Sequence, residues 1–298
     1  MNQAKVLNFF GLLLIMFGIS FAIPLFVAIF YGESLIRVFG LGMSILVLMG
    51  FLSWFFTKDN KQELSLSDGF VITVLFWIVL SVSGSIPFIL FGFGVVDSFF
   101  ESMSGITTTG ATVIAGLDDL PKSLLIYRQL LQWLGGMGLI VLAIAVMPLL
   151  GIGGGQLFKT QTPGPMSEQR LTPRITSTAR ALWSIYFVLT VLCIFAYRLA
   201  GMSYFDAVGH AFSTVSIGGF STHDLSIGFF DSLSIEIVCI AFMLLSAMSF
   251  AIHYSAIYRK QVLKYFYDPE LRFFVSLLIV ILGLVCLSLF VNDIDDPI

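Results

Sequence analysis

Along the chain, long apolar runs alternate with short polar stretches. Seven runs, at 6–31, 35–57, 70–93, 124–150, 178–199, 234–258 and 271–291, each reach the about 20 mostly apolar residues that a membrane-spanning helix needs. In lipid, every backbone amide must be satisfied within its own segment, so these runs are expected as helices. The first run follows Lys5 and has no small-residue cleavage site after it, which predicts a retained helix and not a removed signal. Two connecting segments break the pattern. Residues 94–123 and 201–233 are half apolar, longer than a turn and interrupted by polar and glycine positions before they could cross.

The two segments repeat each other at an offset of 109 residues. DSFFESMSGITTTGAT (97–112) lies over DAVGHAFSTVSIGGFS (206–221), which places Asp97 on Asp206, Ser104 on Ser213, Ile106 on Val215, Thr107 on Ser216, Gly110 on Gly219 and Thr112 on Ser221. Upstream, Leu90 and Gly92 fall on Leu199 and Gly201. A single offset shared by so many positions, at equivalent places in the topology, is a repeat signal. Each copy is expected to hold a short helix opened by an N-cap aspartate, Asp97 or Asp206. A helix of about ten residues spans about 15 Å, half the hydrocarbon thickness, so it can enter and return. Its C-terminal end carries partial negative charge and favours a cation.

After each short helix comes Thr107-Thr108-Thr109-Gly110 or Ser216-Ile217-Gly218-Gly219. Non-helical backbone at that depth is tolerated only where protein buries it or where it lines a water-filled path. Backbone carbonyls can replace an ion's water shell, and glycine supplies the unusual dihedrals this takes. Threonine and serine hydroxyls add neutral oxygens, which suit a monovalent ion that must leave again. The two stretches are therefore read as two walls of an ion filter. An ordinary polar turn is the alternative, and the second copy weighs against it.

Composition narrows the class. Of 298 residues, 58% are hydrophobic and 11% charged, against roughly 25% charged in soluble domains, so this is an integral membrane protein with little soluble mass. A net charge of −3 and four tryptophans leave no nucleic-acid footprint. With the N-terminus in the cytoplasm, that side holds Lys5, Lys58, Lys61, Lys159, Arg170, Arg174, Arg180, Arg259, Lys260, Lys264 and Arg272. The outside keeps Arg37, Lys122, Arg128 and Arg198, with Asp97, Asp118, Asp119, Asp206, Asp224 and Asp231. This asymmetry predicts a multi-pass topology with the N-terminus inside, and an acidic outer mouth that concentrates cations.

Other residues fit this frame. Cys193, Cys239 and Cys286 each lie in an apolar run and read as buried small hydrophobes with no metal-site spacing. GIGGGQLFKTQTPGP (151–165) lacks a Gly-Lys-Ser/Thr ending and follows no strand, so it is not a phosphate loop. No cluster of acids or histidines converges at one depth, so the chain is not read as an enzyme. His210 stands where Glu101 stands in the other copy and is expected to be a satisfied short-helix histidine. His223 and Asp224 fall in the outer mouth, where a weak metal contact is a remote alternative. Interface polarity accounts for His253 and Glu236. Gly135, Gly136 and Gly138 suit a bend, a close approach to the filter, or small-residue helix packing. Arg128 and Gln132 are one turn apart. Arg128 suits bracing of the filter loop against Glu101 or Asp97, or snorkelling to the outer headgroups. The Pro-, Thr- and Arg-rich stretch 159–180 reads as a cytoplasmic loop that anchors topology or docks a regulatory subunit.

SGITTTGAT (104–112), QLLQWLGGMGLIVLAIAVMP (129–148) and STVSIGGFSTHD (213–224) together resemble the Trk-type potassium uptake proteins of bacteria, within the Trk/Ktr/HKT superfamily. The resemblance covers essentially the whole chain, and QWLGGMGL (132–139) is its more specific motif. It implies an all-α integral membrane protein, with two leading helices and then membrane–pore–membrane repeats whose re-entrant half-helices surround one pore. On that pattern, 1–67 holds the two leading transmembrane helices, 68–150 the first repeat and 151–177 a cytoplasmic linker. The second repeat is 178–260, and 261–298 holds the first helix of a third, incomplete repeat.

The resemblance further implies that Thr107, Thr108, Thr109, Gly110 and Ala111 form one filter strand, and Ser216, Ile217, Gly218, Gly219 and Phe220 another. Ion-facing carbonyls come from Thr108, Thr109, Gly110, Ile217, Gly218 and Gly219, with potassium held through Thr108, Thr109, Ile217 and Gly218. Arg128, Gln132, Gly135 and Gly136 support the filter. The implied function is potassium translocation across the bacterial cytoplasmic membrane, as the membrane subunit of a Trk-type uptake system. Potassium is then the transported ligand and no cofactor is needed. The implied partners are a second copy of the chain and a cytosolic nucleotide-binding regulatory subunit. Family members carry four repeats. The spacing from helix start to short-helix aspartate in the second copy, applied from Leu271, points just beyond Ile298, so the chain is expected to be a truncated first half. The rivals are a sodium-permeable relative and a non-conducting membrane scaffold. A serine replacing the filter glycine marks the sodium branch in some relatives, whereas Gly110 and Gly219 are glycine here.

Overall fold

Lipid-soluble backbone has to close its hydrogen bonds locally, and this chain does so with helices. The computed structural model describes residues 3–58, 66–146 and 171–291, and among them every regular element is helical. The elements are α1 Gln3–Ser20, α2 Ala22–Tyr31, α3 Ile36–Thr57, α4 Leu66–Phe91, α5 Val95–Ile106, α6 Lys122–Val146, α7 Leu171–Leu199, α8 Tyr204–Val215, α9 Leu233–Ala247, α10 Phe250–Tyr258, α11 Lys264–Tyr267 and α12 Pro269–Val291. Single 3₁₀ turns lie at Leu117–Asp119 and Ser226–Phe230. Five helical stretches among the described residues are long and apolar enough to cross a membrane, or six with α9 and α10 taken as one span. The fold is an all-α integral membrane architecture in which α5 and α8 are short helices between longer ones.

Three of the expected spans differ in detail. The first is two helices, because Pro24 has no N–H to continue the ladder and Phe21 bonds to Gly18 three residues back, at 3.1 Å. The fifth begins at Leu171, not near 178, so helix extends into the stretch read as linker. The remainder of that stretch, 151–170, lies outside the described residues, as does the end of the fourth span, 147–150. The sixth is broken between Ala247 and Phe250. A continuous helix would have bonded the Leu245 carbonyl to the N–H of residue 249. Instead the His253 imidazole bonds that carbonyl at 2.8 Å, and the Tyr265 hydroxyl at 2.7 Å. His253 is thus a buried partner to exposed backbone, a more specific role than interface polarity.

Residues 1–243 and 244–298 form two separately compact units. In the first, α1 lies along α3 with backbones nearly touching: a Cβ on Gly11 would sit 2.9 Å from the Gly50 carbonyl oxygen, and one on Gly50 would sit 2.6 Å from that of Gly11. Small residues permit such approach where lipid supplies no hydrophobic drive between helices. Helix α6 is the hub. Its Tyr127 is fully buried, meets the rings of Phe21, Phe39 and Phe88 at centroid distances of 5.2, 5.4 and 5.2 Å, and donates to the Gly84 carbonyl at 2.7 Å. The α6 N-terminus is held by Glu33, whose carboxylate accepts from the Lys122 and Ser123 amides at 2.7 and 3.1 Å and also bonds the Ser123 hydroxyl. An acid at a helix N-terminus satisfies orphan amides and opposes the dipole. In the second unit, α12 has no buried residue in its most apolar window.

Candidate functional site

The 109-residue offset recurs in the backbone. Helices α5 and α8 are 12 residues each, or about 18 Å at 1.5 Å per residue. Each follows a glycine of positive φ, Gly92 at 119° and Gly201 at 113°. Each ends in the same two bonds: Thr108 N–H to Gly105 and Thr109 N–H to Ser104, at 3.0 and 2.9 Å, match Ile217 N–H to Thr214 and Gly218 N–H to Ser213, at 3.1 and 2.8 Å. Thr108 and Ile217 then turn left-handed at φ 55° and 54°, as do Gly110 and Gly219 at 77° and 85°. A non-glycine residue held left-handed carries strain that surrounding structure must impose. Here it is imposed twice, at matched positions, one a threonine and the other a β-branched isoleucine.

The aspartates sit differently from expectation. The N-caps are Gly94 and Ser203, and Asp97 and Asp206 are the third helical residues. Ser203 Oγ accepts from the Asp206 N–H at 3.1 Å. A hydroxyl reaches that amide from the cap position, while an acid at the third position still faces the positive end of the helix.

Helix α6 braces both loops. Arg128 is fully buried, as is Glu101 on α5, and the two pair at 2.7 Å. The snorkelling alternative for Arg128 is therefore excluded. The guanidinium also donates to Thr112 Oγ1 at 3.0 Å and to the Ser221 carbonyl at 3.2 Å, and it lies 4.4 Å over the Phe220 ring. The Glu101 carboxylate accepts in addition from Thr112 Oγ1 at 2.9 and 3.0 Å and from the Val113 amide at 3.2 Å. One turn along, Gln132 spends both ends of its amide on the second loop: Nε2 donates to the Gly218 carbonyl at 2.6 Å and Oε1 accepts from the Phe220 N–H at 3.0 Å. A further turn on, a Cβ at Gly135 would overlap the Ile106 carbonyl, and one at Gly136 would sit 3.0 Å from the Ser216 side chain. Gly135 thus abuts the end of α5 and Gly136 the start of the second stretch. A Cβ on Gly138 would sit 3.0 Å from the tip of the Phe76 ring, a tight contact in which the ring would have to give by a few tenths of an ångström.

The two stretches meet each other: a Cβ on Gly110 would overlap the Gly218 carbonyl. A Cβ on Gly219 would meet nothing within 4 Å. Thr109, Ala111, Ile217 and Gly219 are exposed, Thr107, Thr108 and Gly110 partly so, and Ser216, Gly218 and Phe220 are buried. The Thr107 hydroxyl bonds the Met103 carbonyl at 2.7 Å and lies 2.8 Å from that of Thr109. All the predicted filter and support residues thus gather in one place, with Thr107 closing α5.

The second loop solves the Glu101 problem without charge. His210 takes the matched position, and its Nδ1 lies 2.9 Å from the Asp206 carbonyl, which can only accept, so Nδ1 carries the proton. Nε2 then accepts from the Ser221 hydroxyl at 2.9 Å, and Ser221 Oγ accepts from the His223 N–H at 3.1 Å. In the first loop Thr112 Oγ1 likewise bonds Glu101 and accepts from the Ile114 N–H at 3.1 Å. At the position matching Arg128 stands Ile237, 56% exposed. The acid and its cation are replaced together. Among the described residues no group of three or more His, Cys, Asp and Glu could hold a metal ion; His223 bonds Asp118, and Asp224 accepts from the Gly116 and Leu117 amides.

Several of these contacts have no local signature. Gln132 and Gly218 are 86 residues apart and Glu33 and Ser123 are 90 apart. Only the polar type of Arg128 and Gln132 inside an apolar run marked them.

A family model described as TrkH, cation transport protein, matches residues 35–298. The chain is 48% identical over 291 residues to the Trk system potassium uptake protein TrkH of Halomonas elongata, an alignment that covers 97% of this chain and 60% of that protein. To TrkH of Escherichia coli (strain K12) it is 45% identical over 279 residues, covering 93% and 58%. It matches a crystal structure of the potassium transporter TrkH from Vibrio parahaemolyticus with a TM-score of 0.86 and 45% identity, over 98% of this chain and 60% of that one. The chain thus spans about 60% of the length of these relatives.

Proposed function

The chain belongs to the TrkH family of cation transport proteins, and from that membership we propose that it carries part of a potassium path across the bacterial cytoplasmic membrane. The path runs between Thr107, Thr108, Thr109, Gly110 and Ala111 on one side and Ser216, Ile217, Gly218, Gly219 and Phe220 on the other. Potassium is held through oxygens of Thr108, Thr109, Ile217 and Gly218. The Gly218 carbonyl already accepts from Gln132, so its second lone pair is the one that faces the ion. The observation that carries this reading is the matched left-handed backbone at Thr108 and Ile217, and at Gly110 and Gly219, in two loops that touch. Strain of that kind, repeated at the ends of two half-length helices, fits carbonyl oxygens aimed at a ligand.

The division into two leading helices, two membrane–pore–membrane repeats, the linker between them and the start of a third repeat belongs to the same proposal. So do a cytoplasmic N-terminus, a second copy as partner, and a cytosolic nucleotide-binding regulator. Relatives named as members of a Trk system support a multi-component setting.

Gly219→Ser is the cleanest test, because the added side chain meets open space and only the left-handed backbone opposes it, at about 1–2 kcal/mol. In the whole transporter that contains this chain, potassium-over-sodium permeability is expected to fall about tenfold, a loss of about 1.4 kcal/mol of discrimination. An unchanged ratio at normal expression would remove Gly219 from the path. Gly110→Ser is expected to lower the ratio too, but it also displaces Gly218.

A further inference from the structure

We infer that the second unit binds one anionic phospholipid, with the lipid phosphate on Arg272 and an acyl chain in the apolar groove that runs on from it. The site does not depend on the proposed ion path.

Leu245 and Met248, at the break after α9, form one wall of the groove, and Val275 and Ile279 on α12 form another, around about 740 Å³. Ligand pockets commonly enclose about 300–1,000 Å³. Arg272, Val275, Ser276 and Ile279 fall at i, i+3, i+4 and i+7, so they share one face of α12. Arg272 stands in the first turn, and Ile279 lies about 10 Å further along the helix at 1.5 Å per residue. One leaflet is half of a hydrocarbon core about 30 Å thick, so this length suits an acyl chain that starts at the headgroups. The stretch that leads into the groove fits headgroup level. Residues 259–272 hold Arg259, Lys260, Lys264 and Arg272 against Asp268 and Glu270. The same stretch exposes Val262, Leu263, Phe266 and Tyr267. Basic side chains beside exposed apolar and aromatic ones suit a segment lying in the membrane interface. On the proposed topology it faces the cytoplasmic leaflet, where anionic lipids give a negative surface.

Arg272 is the group placed to take the phosphate. Its Nε donates to the Phe266 carbonyl at 2.6 Å, which fixes the head at the groove and leaves the four N–H bonds of its two Nη atoms. Among the described residues no carboxylate lies within ion-pair distance of it. The Asp268 carboxylate is taken up in capping α12, accepting from the Glu270 and Leu271 amides at 3.1 Å each. The other polar side chains of the groove are also committed: Tyr265 bonds His253 at 2.7 Å, and Ser276 donates to the Phe273 carbonyl at 2.8 Å. A guanidinium presents two parallel donors to a phosphate. A cation in the first turn of a helix also opposes the dipole, and a bound anion relieves that cost.

The test places the whole transporter in phosphatidylcholine nanodiscs that carry a minor share of phosphatidylglycerol with a photoreactive acyl chain. Illumination is expected to label the stretch 245–279. Unlabelled phosphatidylglycerol should compete for it and extra phosphatidylcholine should not. Arg272→Gln removes the fork and Ile279→Trp fills the groove without touching charge, and each is expected to cut labelling severalfold, with Arg272→Lys in between. Both positions are exposed, so melting temperatures in lipid-free detergent should match wild type; if one variant melts lower, the other decides. Labelling of 245–279 that survives both substitutions overturns the site, as does equal competition by phosphatidylcholine. A wild type left unlabelled there, because parts of the transporter outside this chain fill the groove, overturns it as well.

Discussion

Arg128→Ile is expected to remove most of the folded transporter. The substitution leaves the Glu101 carboxylate fully buried without its cation. Breaking a buried pair by removing one partner costs about 3–5 kcal/mol, because the other charge stays uncompensated. That is a large share of the 5–15 kcal/mol by which whole domains are stable. Arg128 also holds the Ser221 carbonyl, so the second loop loses a contact as the first loses its charge balance. The second loop suggests the rescue. Glu101→His with Arg128→Ile copies the His210 and Ile237 arrangement: an imidazole at 101 can donate to the Asp97 carbonyl and accept from Thr112, as His210 does with Asp206 and Ser221. Detergent-solubilised yield and melting temperature should drop sharply in the single variant and recover in large part in the double. Equal loss in both would mean that the ion pair is not what the first loop needs.

Gly135→Ala should be nearly as damaging, against the usual sign. At an open helical position alanine is favoured over glycine by about 1 kcal/mol. At Gly135 the new methyl would overlap the Ile106 carbonyl, which is backbone at the end of α5 and cannot turn aside. Overpacking typically costs about 1–3 kcal/mol and more where nothing can yield. The helices must part at the point where the first stretch leaves α5. Gly138→Ala is the control, since its methyl would sit 3.0 Å from the tip of the Phe76 ring, which can shift. Rubidium uptake per folded molecule is expected to be lost in the first and near normal in the second. Comparable uptake in both would contradict the close approach of α6 to α5.

What could be seen in the sequence follows from what leaves a local trace. Apolar length showed the spans, because crossing lipid imposes it. The 109-residue repeat showed the two short helices and the left-handed glycines, because the same backbone geometry demands the same residue types at Gly92 and Gly201, and at Gly110 and Gly219. The break before Phe250 stayed hidden. Its flanks are apolar, and the residue that compensates it, His253, looks from sequence like an interface residue. The N-caps were misplaced by three residues because an aspartate serves at either the cap or the third position. The partner of Arg128 was one of two candidates on α5, and only burial decided against lipid headgroups. The reach of Gln132 to the opposite loop and the grip of Asp224 on Gly116 depend on how distant segments pack, which no local pattern encodes.

The proposed path requires an ion between the two loops. Rubidium-soaked crystals of the whole transporter test it directly, because anomalous scattering marks the ion independently of the protein. Ordered rubidium is expected between the oxygens of Thr108, Thr109, Ile217 and Gly218. Ordered rubidium elsewhere in the transporter, with none between these loops, would contradict it.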